Sequence, residues 1–205
     1  MDRKEQIMLA LLSLASEAGL RNVSLSQIAQ RVGIRKASLY NHFAAKEEIV
    51  TALYEYLRAQ TRQQGAAISA DETVQLRGRS ALDILTDGVQ QYRDMVEHPQ
   101  MKAFFRLILS ERVFSPDAAD ILCMETERML QATRQLFYAL QVHGILHFDH
   151  IDEDALSYAM TIHGLLEYDM DRALAGNAET TPLIQNYLMA FCQAHRPKSA
   201  TTKAT

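Results

Sequence analysis

The chain is short of the residues that interrupt helices. Its 205 residues hold eight glycines and four prolines, around half of the roughly 12% share usual for soluble chains. Strand-and-turn architectures use both freely, so the shortage excludes them and favours long helices. Two cysteines, Cys123 and Cys192, are too few for a disulfide scaffold and fit a reducing compartment. No apolar run approaches the ~18 residues of a membrane span. Hydrophobic residues at 48% and charged residues at 22% exclude a wholly disordered chain. The length suits one sizeable core with a small module attached.

A formal net charge of −4 speaks at first against nucleic acid. The average conceals an asymmetry. Through Lys46 there are seven basic residues (Arg3, Lys4, Arg21, Arg31, Arg35, Lys36 and Lys46) against three acidic ones (Asp2, Glu5 and Glu17), a balance of +4, which leaves −8 for the rest. A basic front on an acidic body points to a small anion-binding module before a larger domain.

Helical signals punctuate the chain clearly. Ile7, Leu11, Leu14, Ala15 and Ala18 fall on one helical stripe, with Gly19 as a left-handed cap. The uncharged balance of residues 2–5 and the lack of an A-x-A site speak against a signal peptide, so the expected compartment is the cytoplasm. Ser24 and Gln27 form a capping box, with Val23 and Ile28 as its hydrophobic staple. Gly33 stops that helix. A short segment from Lys36 to His42 follows, then an amphipathic helix with Ile49, Leu53, Tyr56 and Leu57 on one face. Periodicity fades over 65–78, which reads as a loop. Ser80 opens a helix to about Glu97. Pro99, Pro116 and Pro182 suit the first turns of further helices, with Ser115 and Thr181 as caps, and Gly144 and Gly176 stand at helix ends. The spacing predicts helices over Pro116–His143, Asp152–Ala175 and Pro182–His195. The fold class is all-α, with about nine helices and no alternating strand pattern.

The block from Val23 to Glu48 carries the function. Two short helices flank Gly33, and Ala29 supplies the small residue at their crossing. Ile28, Val32, Ile34, Leu39 and Phe43 form a small core with the first helix. This is the spacing of a helix-turn-helix whose second member enters the major groove. Arg35, Lys36 and Lys46 stand at helix N-termini, where cations oppose the helix dipole but can meet phosphate.

Ser24 through Ile49 resembles the DNA-binding signature of the TetR family of bacterial transcriptional regulators. The resemblance rests on Ser24, Ile28-Ala29, Gly33-Ile34, Ser38-Leu39-Tyr40, His42-Phe43 and Lys46-Glu47, roughly a quarter of the chain. The remainder is similar in length and helical layout alone. The resemblance implies a helix-turn-helix DNA-binding domain over 1–46 joined by a connecting helix over 46–64. It also implies a helical effector-binding and dimerisation domain over 65–196, before a flexible tail over 197–205. It implies a homodimeric regulator, a repressor first of all, which binds a pseudo-palindromic operator and releases it on binding a small molecule. Ser26, Lys36 and Ala37 are then base-edge readers. Ser24, Tyr40, His42 and Lys46 are phosphate contacts, and Asn41 serves either purpose. Lys36 can donate to guanine, and the Ala37 methyl can touch a thymine methyl. Arg35 stands where the family often has a capping serine and adds a phosphate or base contact. Val32 stands where alanine is frequent.

The body is rich in plastic apolar residues. A pocket lined by Phe104, Phe105, Met124, Phe137, Tyr138, Met160 and His163 is the expectation that follows from the resemblance. The last two helices offer Leu156, Ala159, Ile162 and Leu166 with Leu183, Tyr187, Leu188 and Phe191 as self-complementary faces, where the resemblance puts a four-helix dimer interface. A second reading is a metal sensor or metalloprotein using His143, His147 and His150, spaced as ligands can be but spread across the Gly144 turn. No acid–base dyad or nucleophile motif supports an enzyme, and no cofactor or resident metal is expected. The expected partners are operator DNA, a second copy of the chain and an effector, with no membrane.

Overall fold

The computed structural model of the chain describes residues 2–64, 76, 78–177 and 182–197, with only the backbone of 61–64. Among these residues there are nine α-helices, one short 3-10 turn and no strand. The helices are α1 (Arg3–Ala18), α2 (Leu25–Val32), α3 (Lys36–Tyr40), α4 (Lys46–Gln64), α5 (Ala81–Glu97), α6 (Pro99–Glu111), α7 (Pro116–Val142), α8 (Ile151–Leu174) and α9 (Leu183–Ala194). The 3-10 turn, Leu20–Asn22, lies between α1 and α2. The expected tail beyond Pro197, the Thr181 cap and most of the expected loop over 65–78 lie outside the described residues.

Local chemistry accounts for most helix ends. Asp2 caps α1, accepting from the Glu5 amide while the Glu5 side chain returns to the Asp2 amide. The Ser80 hydroxyl accepts from the Asp83 amide at 3.1 Å, and Ser115 from the Ala118 amide at 3.3 Å. Pro99 occupies the first turn of α6, where its missing N–H costs nothing. Two expectations need correction. Gly19 has φ 81 but ψ 146, which is not the left-handed helical cap; the chain leaves α1 extended and coils at once into the 3-10 turn. Pro182 is the residue before α9 rather than part of its first turn.

The chain forms two compact units. The first comprises Met1–Ala67 and Asp94–Glu125. Its core takes Ile7, Leu11 and Ala15 from α1, Ile28 from α2, Leu39 from α3, Ile49, Leu53 and Leu57 from α4, and Phe104 and Ile108 from α6. Val32 and Ile34 pack on it part-buried, so the small core foreseen for the front three helices is one corner of a larger one. The second unit comprises Ile68–Arg93 and Thr126–Thr205. Its core is aromatic: the Phe137 and Phe148 rings stack with centroids 4.5 Å apart, and Phe191 lies 5.5 Å from Phe137 and 5.0 Å from Tyr158.

Candidate nucleic-acid interface

The site is built on a rigid turn. In α2 the Ser24 hydroxyl accepts from the Gln27 amide at 3.3 Å, and the Gln27 side chain accepts from the Ser24 amide at 2.7 Å. The helix ends at Gly33 with φ 72 and ψ 33. There the Gly33 amide donates to the Gln30 carbonyl and the Ile34 amide to the Ala29 carbonyl, a Schellman closure that needs a residue without a Cβ. Ala29, 2% exposed, gives the close crossing its small side chain demands. These local bonds fix how α3 leaves α2.

The expected contact residues lie on and around α3. Ser24, Ser26, Arg35, Lys36, Ala37, Tyr40 and Asn41 are exposed, and His42 and Lys46 are half-buried. Tyr40 is 48% exposed with the Lys36 ammonium 5.9 Å from its ring centroid, while Leu39 beside it is fully buried. Arg35 precedes α3 in extended conformation and makes no side-chain cap. Replacing the capping serine thus leaves that helix end uncapped and the guanidinium in solvent.

Lys46 does more than face solvent. Its ammonium donates to the carbonyls of Leu20 at 2.8 Å and Val23 at 3.1 Å, so it pins the 3-10 turn that leads into α2. An ammonium has three protons, and this arrangement commits two of them. Sequence reasoning missed three further anchors. Glu48 accepts from the Ala44 amide at 2.6 Å, Arg31 donates to the Ser13 hydroxyl at 3.0 Å, and the Lys4 ammonium lies 5.6 Å from the Phe43 ring centroid. An acid in the first turn of α4 was the available signal for Glu48; the other two join residues too distant in sequence to be read from spacing.

The expected pocket residues are divided between the two units. Phe104 and Phe105 are buried in the first unit's core with Met124 packed against it, whereas Phe137 lies in the second unit's core. Tyr138 and Met160 are exposed, and His163 pairs along α8 with Glu167 at 3.5 Å. The expected dimer faces also divide. Ala159, Ile162, Leu188 and Phe191 are buried within the chain's own fold, and Leu166, Leu183 and Tyr187 are half-buried. Leu156 is open, and the other open large apolar residues of these helices are Met160, Tyr168, Leu174 and Met189. His143, His147 and His150 are all exposed, and His147 turns to Asp149 at 3.2 Å. Among the described residues no group of three or more His, Cys, Asp or Glu is placed to hold a metal ion, which leaves the metal alternative without a site there. No described helix is long and apolar enough to cross a membrane.

Two short helices joined by a left-handed glycine, with a polar face on the second and a buried hinge between them, define a helix-turn-helix protein. Comparison with known proteins agrees. Residues 7–53 match the tetR family of bacterial regulatory proteins, the same stretch of chain that carries the two short helices and the Gly33 turn. It is 26% identical to the uncharacterized HTH-type transcriptional regulator YerO of Bacillus subtilis, across 71% of this chain and 54% of YerO. It is 28% identical to the nucleoid occlusion factor SlmA of Vibrio campbellii, across 68% of this chain and 63% of SlmA. The chain thus spans less than two thirds of either relative. Among solved structures it shares its fold with the flavonoid-responsive regulator FrrA (TM-score 0.73, 21% identity, 96% of this chain and 98% of that one). Salmonella enterica GusR is similar also (TM-score 0.67, 19% identity, 93% and 95%).

Proposed function

We propose that the chain is a homodimeric transcriptional regulator, acting as a repressor, that reads a pseudo-palindromic operator through its helix-turn-helix and releases it when a small molecule binds the helical body. The observation that carries this reading is the exposed row Ser26, Arg35, Lys36, Ala37, Tyr40 and Asn41 on a turn fixed by Gly33. Lys36 and Ala37 sit where a base edge is within reach. Arg35, Tyr40 and the remaining Lys46 proton supply donors for phosphate, which fix register without reading sequence. Residues 1–46 are the DNA-binding domain, 46–64 its connecting helix and 65–196 the effector-binding and dimerisation domain. The chain works by binding rather than catalysis, in the cytoplasm where its DNA is.

One recognition helix reads only a few base pairs, so useful specificity calls for a two-fold pair. The dimer face is the outward stripe of α8 and α9, with Leu156, Met160, Tyr168 and Met189, since Ala159, Ile162, Leu188 and Phe191 are already used inside. Duplexes enriched from a random-sequence pool by the full-length protein test the reading. A two-fold-symmetric site is expected, bound by a dimer in light scattering, with affinity lost in Lys36→Ala/Tyr40→Phe. No enrichment, or undiminished binding by that variant, removes it.

A further inference from the structure

The 3-10 turn between α1 and α2 is gripped from two sides, and both grips lie within the first compact unit. On one side Lys46 holds the carbonyls of Leu20 and Val23. On the other, Arg21 reaches residues some ninety positions away. Its Nη2 donates to the Phe114 carbonyl at 2.9 Å, its Nε stands 3.6 Å from a Glu111 carboxylate oxygen, and its guanidinium carbon lies 4.5 Å from the centre of the Phe114 ring. Glu111 ends α6 and is buried, whereas Val113 and Phe114 in the α6–α7 corner are 78% and 64% exposed. A buried carboxylate needs a partner, and the guanidinium provides one. An exposed aromatic ring gains from the cation above it. Planar, forked and permanently charged, Arg21 satisfies a carboxylate, a carbonyl and a ring together, which lysine could not.

We propose that Arg21 is a positioning residue for DNA binding: clasped by Glu111 and Phe114, it ties the α6–α7 corner to the turn that sets the entry of α2, and through α2 the presentation of α3. The proposal rests on the DNA-binding reading above. The path is short. Arg21, Asn22 and Val23 lead directly to the Ser24 cap, so a shift of the turn is passed to α2 with little slack. Glu111 and Phe114 are outside the set of expected DNA contacts, so any effect they have on DNA binding acts through geometry. The pair is also able to open. The Arg21 side chain is 58% exposed against 11% for Glu111, so water competes for the guanidinium while the carboxylate stays enclosed.

The test uses the full-length protein and a duplex that the wild type enriches from a random-sequence pool, with anisotropy measured over a series of KCl concentrations. Arg21→Gln, Glu111→Gln and Phe114→Ala are each expected to weaken binding about tenfold, within the range usual for coupling energies. Arg21→Gln combined with Glu111→Gln is expected to be no weaker than the poorer single variant, because both break one clasp. The salt slope should stay at the wild-type value throughout, as no phosphate contact is lost. Circular dichroism checks that each variant is folded, and Phe114→Ala, which truncates an exposed ring, serves if either glutamine variant is not. Wild-type affinity in Glu111→Gln and Phe114→Ala overturns the proposal. So does a slope shallower by about 0.9 in Arg21→Gln alone, which makes Arg21 a phosphate ligand instead. A wild-type protein that enriches no duplex defeats the DNA-binding reading itself, and this proposal with it.

Discussion

The two compact units hold themselves together by different means. The first relies on directional polar contacts at its seams. Tyr54 donates to Glu125 at 2.5 Å, and Arg58 pairs with the same carboxylate oxygen; Arg21 clasps Glu111, and Lys46 holds two carbonyls. In the second, Arg134 pairs with Asp152 and Arg79 with Asp87 nearer the surface, neither pair being enclosed as Arg58 and Glu125 are. Its interior is a cluster of rings: Phe137, Phe148, Tyr158, Tyr187 and Phe191, with the His195 imidazole stacked on Phe191 at 4.1 Å. Hydrogen bonds fix angles. Ring packing fills volume and tolerates rearrangement more readily. On the function proposed above, presenting one helix at one inclination calls for the first kind of contact, and admitting a small molecule for the second.

Removing one contact of each kind tests the contrast most severely. Phe137→Ala should cost about 3–5 kcal/mol through the cavity it leaves. Glu125→Ala should cost a similar ~3–5 kcal/mol, because it takes away the buried carboxylate that Tyr54 and Arg58 share. Urea unfolding followed by circular dichroism and by tyrosine fluorescence would show whether the two variants lower different transitions. If both lower one shared transition equally, the units differ in chemistry but not in cooperativity.

A smaller effect concerns the turn alone. Beyond its own chain neighbours, no atom of the described residues lies within 4 Å of where a Cβ on Gly33 would stand, so Gly33→Ala meets no tertiary clash and pays only for its left-handed backbone, about 1–2 kcal/mol. DNA affinity should fall by more than this loss of folded protein explains. An effect on stability without one on affinity would show that the α2–α3 angle is not set there.

The mildest prediction separates the units by pH. The Tyr158 phenol is pushed well above its usual range, first by burial and then by the neighbouring Tyr187 and Cys192. Tyr187 is raised as well, again chiefly by burial. A phenol kept neutral by the fold contributes stability that is fully present below its unfolded value of about 10 and is lost as the pH rises toward the folded value. The second unit should therefore weaken between about pH 10 and 12, with no effect near neutrality, and Tyr158→Phe should flatten that slope. Equal alkaline loss in the variant would assign the sensitivity elsewhere.

Much of the helix-turn-helix was legible because its determinants are local. Ser24 and Gln27 are three residues apart, and Gly33 acts through the Ala29 and Gln30 carbonyls just before it. The long helices could be counted for the same reason. What sequence could not reveal was pairing across distance. Arg21 gave no sign of Glu111, nor Lys46 of Leu20, because such contacts are chosen by tertiary packing. Helical period likewise shows that a face is apolar but not what covers it. On α8, Ala155, Ala159 and Ile162 are buried while Leu156 and Met160, one position along, are exposed, a division that helical period alone does not settle. The pocket was the least legible part, since its expected lining draws on residues of both cores.

The open stripe of α8 is interrupted by charge. Exposed Glu153 lies before Leu156, while half-buried Glu167 and exposed Asp171 flank Tyr168. If a second copy slid by one turn along this stripe, carboxylates would meet apolar side chains or one another, and either costs more than a partner that leaves them in water. If α8 forms the proposed dimer face, residues that dilute the stickiness of the surface would thereby restrict how a second copy can align. On that proposed face, the same few acids that keep the strip in water would also key it to one partner alignment.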